Sequence, residues 1–290
     1  LAAAAALAAL LPFAAWSSPT ETHPATGLVL QIKDGNKLVV SCSEIPNYMP
    51  AMTMTFDVAN PAELSRIRPG MMIDFTLVVD QASSHIEKIA EHRFHSTEEK
   101  PLQVERMKLA AEAFPPPPGA PKMLEPGQKL PEFTLIDQHR QPVKSSDFAG
   151  KVVAVSFMYS HCSSPEFCLR MTNNLGLVAK RFSDRLGKDL VLLTITFDPM
   201  NDTPEVMARY ASTWKASEKG WYFLTGPPED VKRVCLLFGM DFWAQMEMIV
   251  HSMHTAVFDR NGVLVTNLEG NDFSGEQLGN LIQTVLDRPR

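Results

Sequence analysis

Between residues 27 and 92 apolar and polar side chains alternate in short runs. They are Leu28-Val29-Leu30-Gln31-Ile32, Lys37-Leu38-Val39-Val40, Met52 to Val58, Met72 to Val79 and His85 to Ala90. Alternation over that length predicts β-strands. Asp34-Gly35-Asn36 marks a hairpin between the first two runs, and Pro69-Gly70 a turn before the fourth. Ala62 to Arg68 has room for one or two helical turns. Five short strands in about sixty residues predict a small all-β domain, an OB-like five-stranded barrel that is closed or nearly so.

From residue 123 onward the pattern changes to alternating strands and helices. Val152-Val153-Ala154-Val155-Ser156-Phe157 and Leu190 to Phe197 are continuous apolar runs, as expected of strands buried on both faces. Pro165 to Arg185, Pro204 to Trp214 and Glu229 to Phe238 have helical period. Thr255 to Phe258 and Val263 to Asn267 flank Asp259-Arg260-Asn261-Gly262, a hairpin signal. Ser274, with Glu276 and Gln277 behind it, caps a last helix. A β-α-β start, a late hairpin and a closing helix predict a thioredoxin-like α/β domain.

Between these halves, Pro101 to Phe114 reads as a helix, stopped by Pro115-Pro116-Pro117-Pro118-Gly119, which favours a stiff, extended linker. The expected organisation is therefore 1–26 leader and tail, 27–92 barrel, 93–122 linker and 123–290 α/β domain. A length of 290 residues suits two domains.

Composition narrows the function classes. A formal net charge of -6 without any long basic run argues against nucleic-acid binding. The Ala/Leu-rich opening, with Ala15-Trp16-Ser17 behind it, reads either as the apolar part of a secretory signal or as an N-terminal membrane anchor. Both place the rest of the chain outside the cytoplasm, in a periplasmic or other extracytoplasmic compartment. The four cysteines, Cys42, Cys162, Cys168 and Cys235, are too few for a disulfide framework.

Cys162 follows the buried strand directly, and Cys168 sits where the next helix begins, with Pro165 suited to a first helical position. The free N–H groups and dipole of a helix N-terminus are expected to stabilise thiolates there, the form that binds soft metals and attacks disulfides. A purely structural disulfide is the plainer alternative. Tyr159-Ser160-His161-Cys162, Cys168, the stretch Phe197-Asp198-Pro199-Met200-Asn201-Asp202-Thr203-Pro204, Trp221-Tyr222-Phe223-Leu224-Thr225-Gly226 and His251 together resemble the SCO/SenC family over residues 125–288. The resemblance implies a copper chaperone in which two cysteines and a histidine hold one copper ion, Cu(I) or Cu(II), for transfer to the CuA site of cytochrome oxidase. Those residues would be Cys162, Cys168 and His251, with Asp198 near the metal as an outer group. The departure is a loop of five residues between the cysteines where the family usually has three. Asp202, ahead of Thr203-Pro204, reads as a helix start. His254 reads as facing away from His251, His161 as a flanking residue, and Cys235 as helix core.

In the first domain, Met49-Pro50-Ala51-Met52-Thr53-Met54 concentrates thioethers, soft donors that select Cu(I). Methionines that merely fill a small core are the alternative. The stretch from Glu44 to Phe56, with Leu64 and Pro69-Gly70, resembles the CusF-type periplasmic copper-binding domain. The resemblance implies that Met52 and Met54 bind Cu(I). Cys42 stands where that family has a histidine, and Met49 where it has an aromatic ring. The site is then Cys42, Met52 and Met54, with Met49 as a further donor, or else a degenerate one; His85, His92 and His95 have no spacing that makes them substitutes.

Two functions are compatible with these residues. One is a copper chaperone, with the barrel as Cu(I) donor or store. The other is an enzyme, a thiol-disulfide oxidoreductase that reduces the cysteines of a copper-receiving protein, with Cys162 as the attacking thiol.

Overall fold

The computed structural model describes residues 20–81, 83–92, 109, 121–162, 165–216, 220–240, 242–245 and 248–289, with side chains placed for all but 165–166, 242–245 and 248–251. The apolar N-terminal stretch expected to be a leader or anchor, the proline run and, except for Leu109, the helix expected over 101–114 lie outside the described residues.

Strands β1 (Glu21–Lys33), β2 (Lys37–Cys42), β3 (Met52–Val58), β4 (Met72–Val79) and β5 (Ser84–Glu91) form a closed barrel in the order β1-β2-β3-β5-β4. The β3–β5 pair is parallel and the other pairs are antiparallel. Closure depends on β1, whose 13 residues pair with β4 over Glu21–Leu28 and with β2 over Gly27–Lys33. A register shift between Val29 and Gln31 bends it around the barrel. Gly35 and Asn36, with φ of 74° and 58°, make the tight turn into β2. Val29, Leu38, Val40, Phe56, Phe75 and Ile86 fill the interior.

The second half opens with a small hairpin of β6 (Thr134–Ile136) and β7 (Pro142–Lys144). Its main sheet contains β8 (Val152–Met158), β9 (Leu190–Thr196), β10 (Trp221–Leu224), β13 (His254–Phe258) and β14 (Leu264–Glu269), in the order β10-β9-β8-β13-β14. β8, β9 and β10 are parallel, while β13 runs antiparallel to both β8 and β14. Helix α1 (Arg170–Arg181) makes the crossover from β8 to β9, and α2 (Pro204–Thr213) the one from β9 to β10. α3 (Pro228–Leu237) leads into a separate hairpin of β11 (Phe242–Gln245) and β12 (Met248–His251), and α4 (Gly275–Leu286) closes the domain. Every residue of β8 and β9 is buried, which explains their unbroken apolar runs. Trp221 is buried in the same core with its indole N–H donated to Thr194 Oγ1 at 2.9 Å. This is a thioredoxin-like α/β domain, as the alternating pattern predicts.

The two halves share an interface. Leu28, Leu30 and Met72 of the barrel pack into the core of the α/β domain. Thr266 Oγ1 donates to the Gly70 carbonyl at 2.7 Å. Gly70 has φ +88°, and a Cβ there would lie 2.5 Å from Thr266 Cβ, so glycine serves both the turn and the close approach.

Candidate metal centre and thiol pair

β8 ends at Met158, and the chain turns back so that the Cys162 N–H donates to the Tyr159 carbonyl at 3.3 Å. Cys162 is half-buried and Cys168 is 2% exposed. Cys168 does not sit on the first turn of a regular helix. It lies in a π turn, Pro165–Leu169, that precedes α1. Such wide turns recur at functional sites. Neither thiol is in a disulfide, and the two are within hydrogen-bonding contact of each other.

The expectation of a stabilised thiolate is corrected for Cys168. Contact with Cys162 and burial push its pKa far up, and backbone hydrogen bonds at Tyr159 and Cys168 offset only part of this. Two sulfurs this close, one of them buried, do not both carry negative charge at neutral pH without a cation between them. A soft metal ion, or oxidation to a disulfide, removes that conflict.

The loop ahead of Cys162 is held by a residue the sequence assigns only to a helix start. Asp202 is fully buried, and its carboxylate accepts from Thr196 Oγ1 at 2.5 Å, from the Ser160 N–H at 3.1 Å and from Ser160 Oγ. The N-cap of α2 is instead Thr203, which makes no side-chain capping bond. A carboxylate followed by Thr-Pro was the available signal; its partner across 42 positions was not readable. Asp198 lies on the same turn, half-buried, and its carboxylate accepts from Asn201 Nδ2 at 2.8 Å. Phe197 N–H donates to the Met158 carbonyl at 3.1 Å, so this turn and the thiol loop leave parallel neighbouring strands at the same end of the sheet.

β13 enters the sheet at that end too, with Thr255 opposite Ser156 of β8. His251 ends β12, paired with Phe242, and only Ser252 and Met253 separate it from β13. The backbone of His251 is thus brought to the end of the sheet that carries the thiols; its side chain lies outside the described residues. His251 and His254 belong to different strands, so the two-face argument between them does not apply. His254 is buried, and burial holds its pKa down at about 4, against smaller opposing effects of hydrogen bonds to Gly239 and Asn267. It is a neutral core imidazole. Cys235 is fully buried on α3, where burial pushes its pKa up.

In the barrel, Cys42 pairs with Met52 across β2 and β3, and Val40 with Met54. Met52 and Met54 are two residues apart and share a face. The Ile45–Met49 bridge folds the connecting loop so that Met49, like Met54, packs against the barrel core. Met52 is 44% exposed, whereas Cys42 is 1% exposed and burial pushes its thiol pKa up to about 12. Cys42, Met52 and Met54 therefore share one face at the β2–β3 end of the barrel, with Cys42 the most buried.

A thioredoxin-like domain with paired thiols at a strand-to-helix junction, docked to a closed barrel that carries cysteine and thioether side chains, defines a class of barrel-linked thiol proteins. Residues 121–287 match the SCO1/SenC family model, and the chain belongs to that family. Residues 22–91 match the model for "Copper binding periplasmic protein CusF". Among relatives, Protein sco1 of Schizosaccharomyces pombe is 26% identical over 158 residues, 52% of this chain and 58% of that protein. Protein SCO1, mitochondrial, of Saccharomyces cerevisiae is 30% identical over 146 residues, 48% of each chain. The chain thus spans about half the length of these relatives. In fold, a SCO1/SenC family lipoprotein from Bacillus anthracis str. Ames superposes with a TM-score of 0.50 at 22% identity, covering 57% of this chain and 99% of that one. Among the described residues no helix is long and apolar enough to cross a membrane.

Proposed function

We propose that this chain is a periplasmic copper-binding chaperone that delivers copper for assembly of the CuA site of cytochrome oxidase or for copper homeostasis. The observation that carries the reading is the pair of reduced thiols in contact at the β8–α1 junction, with the backbone of His251 entering at the same end of the sheet. Two thiolates and an imidazole suit copper in either oxidation state, and membership of the SCO1/SenC family makes copper the expected cargo. Copper would be held by Cys162, Cys168 and His251, with Asp198 orienting the turn beside them. Cys42, Met52, Met54 and Met49 would hold a second ion, Cu(I), as donor or store. The receiving protein would be the CuA subunit of the oxidase, and the leader would export the chain or anchor it to a membrane.

A second reading, thiol-disulfide oxidoreductase, is favoured by the same contact between sulfurs and by their unequal exposure. Half-buried Cys162 would attack a partner disulfide and buried Cys168 would resolve the mixed disulfide. An anaerobic Cu(I) competition titration of the reduced chain, beside its His251→Ala variant, separates the two. Loss of affinity for one of two bound ions in the variant supports the chaperone. Binding that is indifferent to His251 points to a redox pair.

A further inference from the structure

The interface between the barrel and the α/β domain holds an imidazole between carboxylates from both sides. His92 follows β5, and its Nδ1 lies 2.9 Å from each oxygen of Asp74 on β4. Its Nε2 lies 3.2 Å from Oδ2 of Asp272, which precedes α4 in the other domain. A cleft of about 420 Å³ runs beside the ring, so water has access to it. The remaining charged groups on the cleft are Arg68 and Glu91 from the barrel and Glu269 from β14.

A neutral imidazole has a single N–H. With both Asp74 oxygens at Nδ1, that nitrogen keeps the proton, and the Nε2 lone pair then faces the Asp272 carboxylate. Only the imidazolium donates to both. We propose that His92 is a protonation-operated latch, whose imidazolium ties the barrel to the α/β domain through Asp272 and whose deprotonation releases that tie while the bond to Asp74 within the barrel persists.

Asp74 and Asp272 face the ring from its two sides, which favours its charged form. Burial alone would lower the His92 pKa, but the hydrogen bonds and charges of Asp74 and Asp272 outweigh it and hold the pKa above the usual histidine range. Undocking removes Asp272 and relieves part of the burial, which act in opposite directions; the latch requires that the loss of Asp272 outweigh the gain in hydration, so that the docked state has the higher pKa. The added docking strength is therefore fully present below the undocked pKa, where Asp74 alone still pairs with the ring, and is lost as pH rises through the docked value. Each unit of difference between docked and undocked pKa corresponds to about a tenfold change in the docking constant. The outer faces of β2 and β3 rest on α4, where Asn280 Nδ2 donates to Ser41 Oγ at 3.0 Å and Thr53 Oγ1 at 3.1 Å. The latch thus governs how firmly the strands bearing Cys42, Met52 and Met54 are held against the domain with the thiol pair. It does not depend on the copper reading.

The test is a pH titration of the reduced full-length chain from pH 5 to 9. His92 is followed by its imidazole NMR signals, and the interface by amide exchange in β14 and α4, corrected for intrinsic rates. Wild type should titrate above the usual histidine range and lose interface protection as His92 deprotonates. Asp272→Asn should move the His92 titration downward and flatten the protection profile, because an amide can pair with neutral imidazole. His92→Gln should flatten it as well while the barrel stays folded. A His92 that titrates at or below the usual value, or a protection profile with the same pH dependence in wild type and both variants, would overturn the latch.

Discussion

Replacing Asp202 tests whether the thiol loop is held as the structure indicates. In Asp202→Ala the Ser160 N–H and hydroxyl, half-buried, and the Thr196 hydroxyl, fully buried, all lose their acceptor. Hydroxyls can rotate toward other acceptors, but the backbone N–H cannot. An orphaned buried donor costs about 1–3 kcal/mol, and a hydrogen bond to a charged acceptor contributes about 1.5–3 kcal/mol. With partial relaxation, the expected loss is about 2–4 kcal/mol of unfolding free energy for the α/β domain. Asp202→Asn keeps the shape and one carbonyl acceptor, so its loss should be about half as large. Urea denaturation gives the stabilities, and alkylation of Cys162 under native conditions reads the loop. Since Ser160 lies two residues before Cys162 in the sequence, alkylation should accelerate in the order wild type, Asn, Ala. A cost below about 0.5 kcal/mol, the scale of an ordinary surface change, together with an unchanged alkylation rate would refute the tether.

Two further outcomes follow from buried titrating groups. His254, held at about 4 against the usual 6.5, favours the neutral form, so its contribution is present above pH 6.5 and is lost as pH falls through 4. The loss is of order 3 kcal/mol, at about 1.4 kcal/mol per unit. Acid unfolding of His92→Gln chains, which removes the opposing slope of the latch, should show it, and His254→Gln should abolish it; a flat profile between pH 6.5 and 4 contradicts the burial argument. For the barrel, a Cys42 thiol pushed up to about 12 must lose its proton to bind Cu(I). Apparent affinity there should rise about tenfold per pH unit between pH 6 and 8, and Cys42→Ser should remove that slope. An affinity independent of pH in wild type would mean that Cys42 is core and not a ligand.

Both folds were legible because their signals are local. The five barrel strands appear as alternating runs, and β8 and β9 as unbroken apolar ones. Short elements were not: β6, β7 and β10 have three or four residues each, too few to set a period. The β11–β12 hairpin escaped notice because Trp243 to Val250 has no turn signal of the Asn-Gly kind. The thiol pair was visible from its position after a buried strand, but its protonation was not. The helix-dipole argument assumes exposed thiols on a regular first turn, whereas Cys168 is buried in a π turn against Cys162. Residues that act across long sequence separations, Asp202 on Ser160 and His92 on Asp272, leave no mark in the linear pattern.

The most direct test of the account is copper transfer. The reduced chain, loaded with copper, is mixed with the copper-free soluble CuA domain of cytochrome oxidase, and the visible absorption of assembled CuA is followed together with the thiol content of both proteins. The account predicts that copper moves and the CuA spectrum appears, and that Cys162→Ser and His251→Ala chains fail to deliver it. Reduction of a CuA-domain disulfide by Cys162 and Cys168 without any copper movement would contradict the chaperone and leave a thiol-disulfide oxidoreductase.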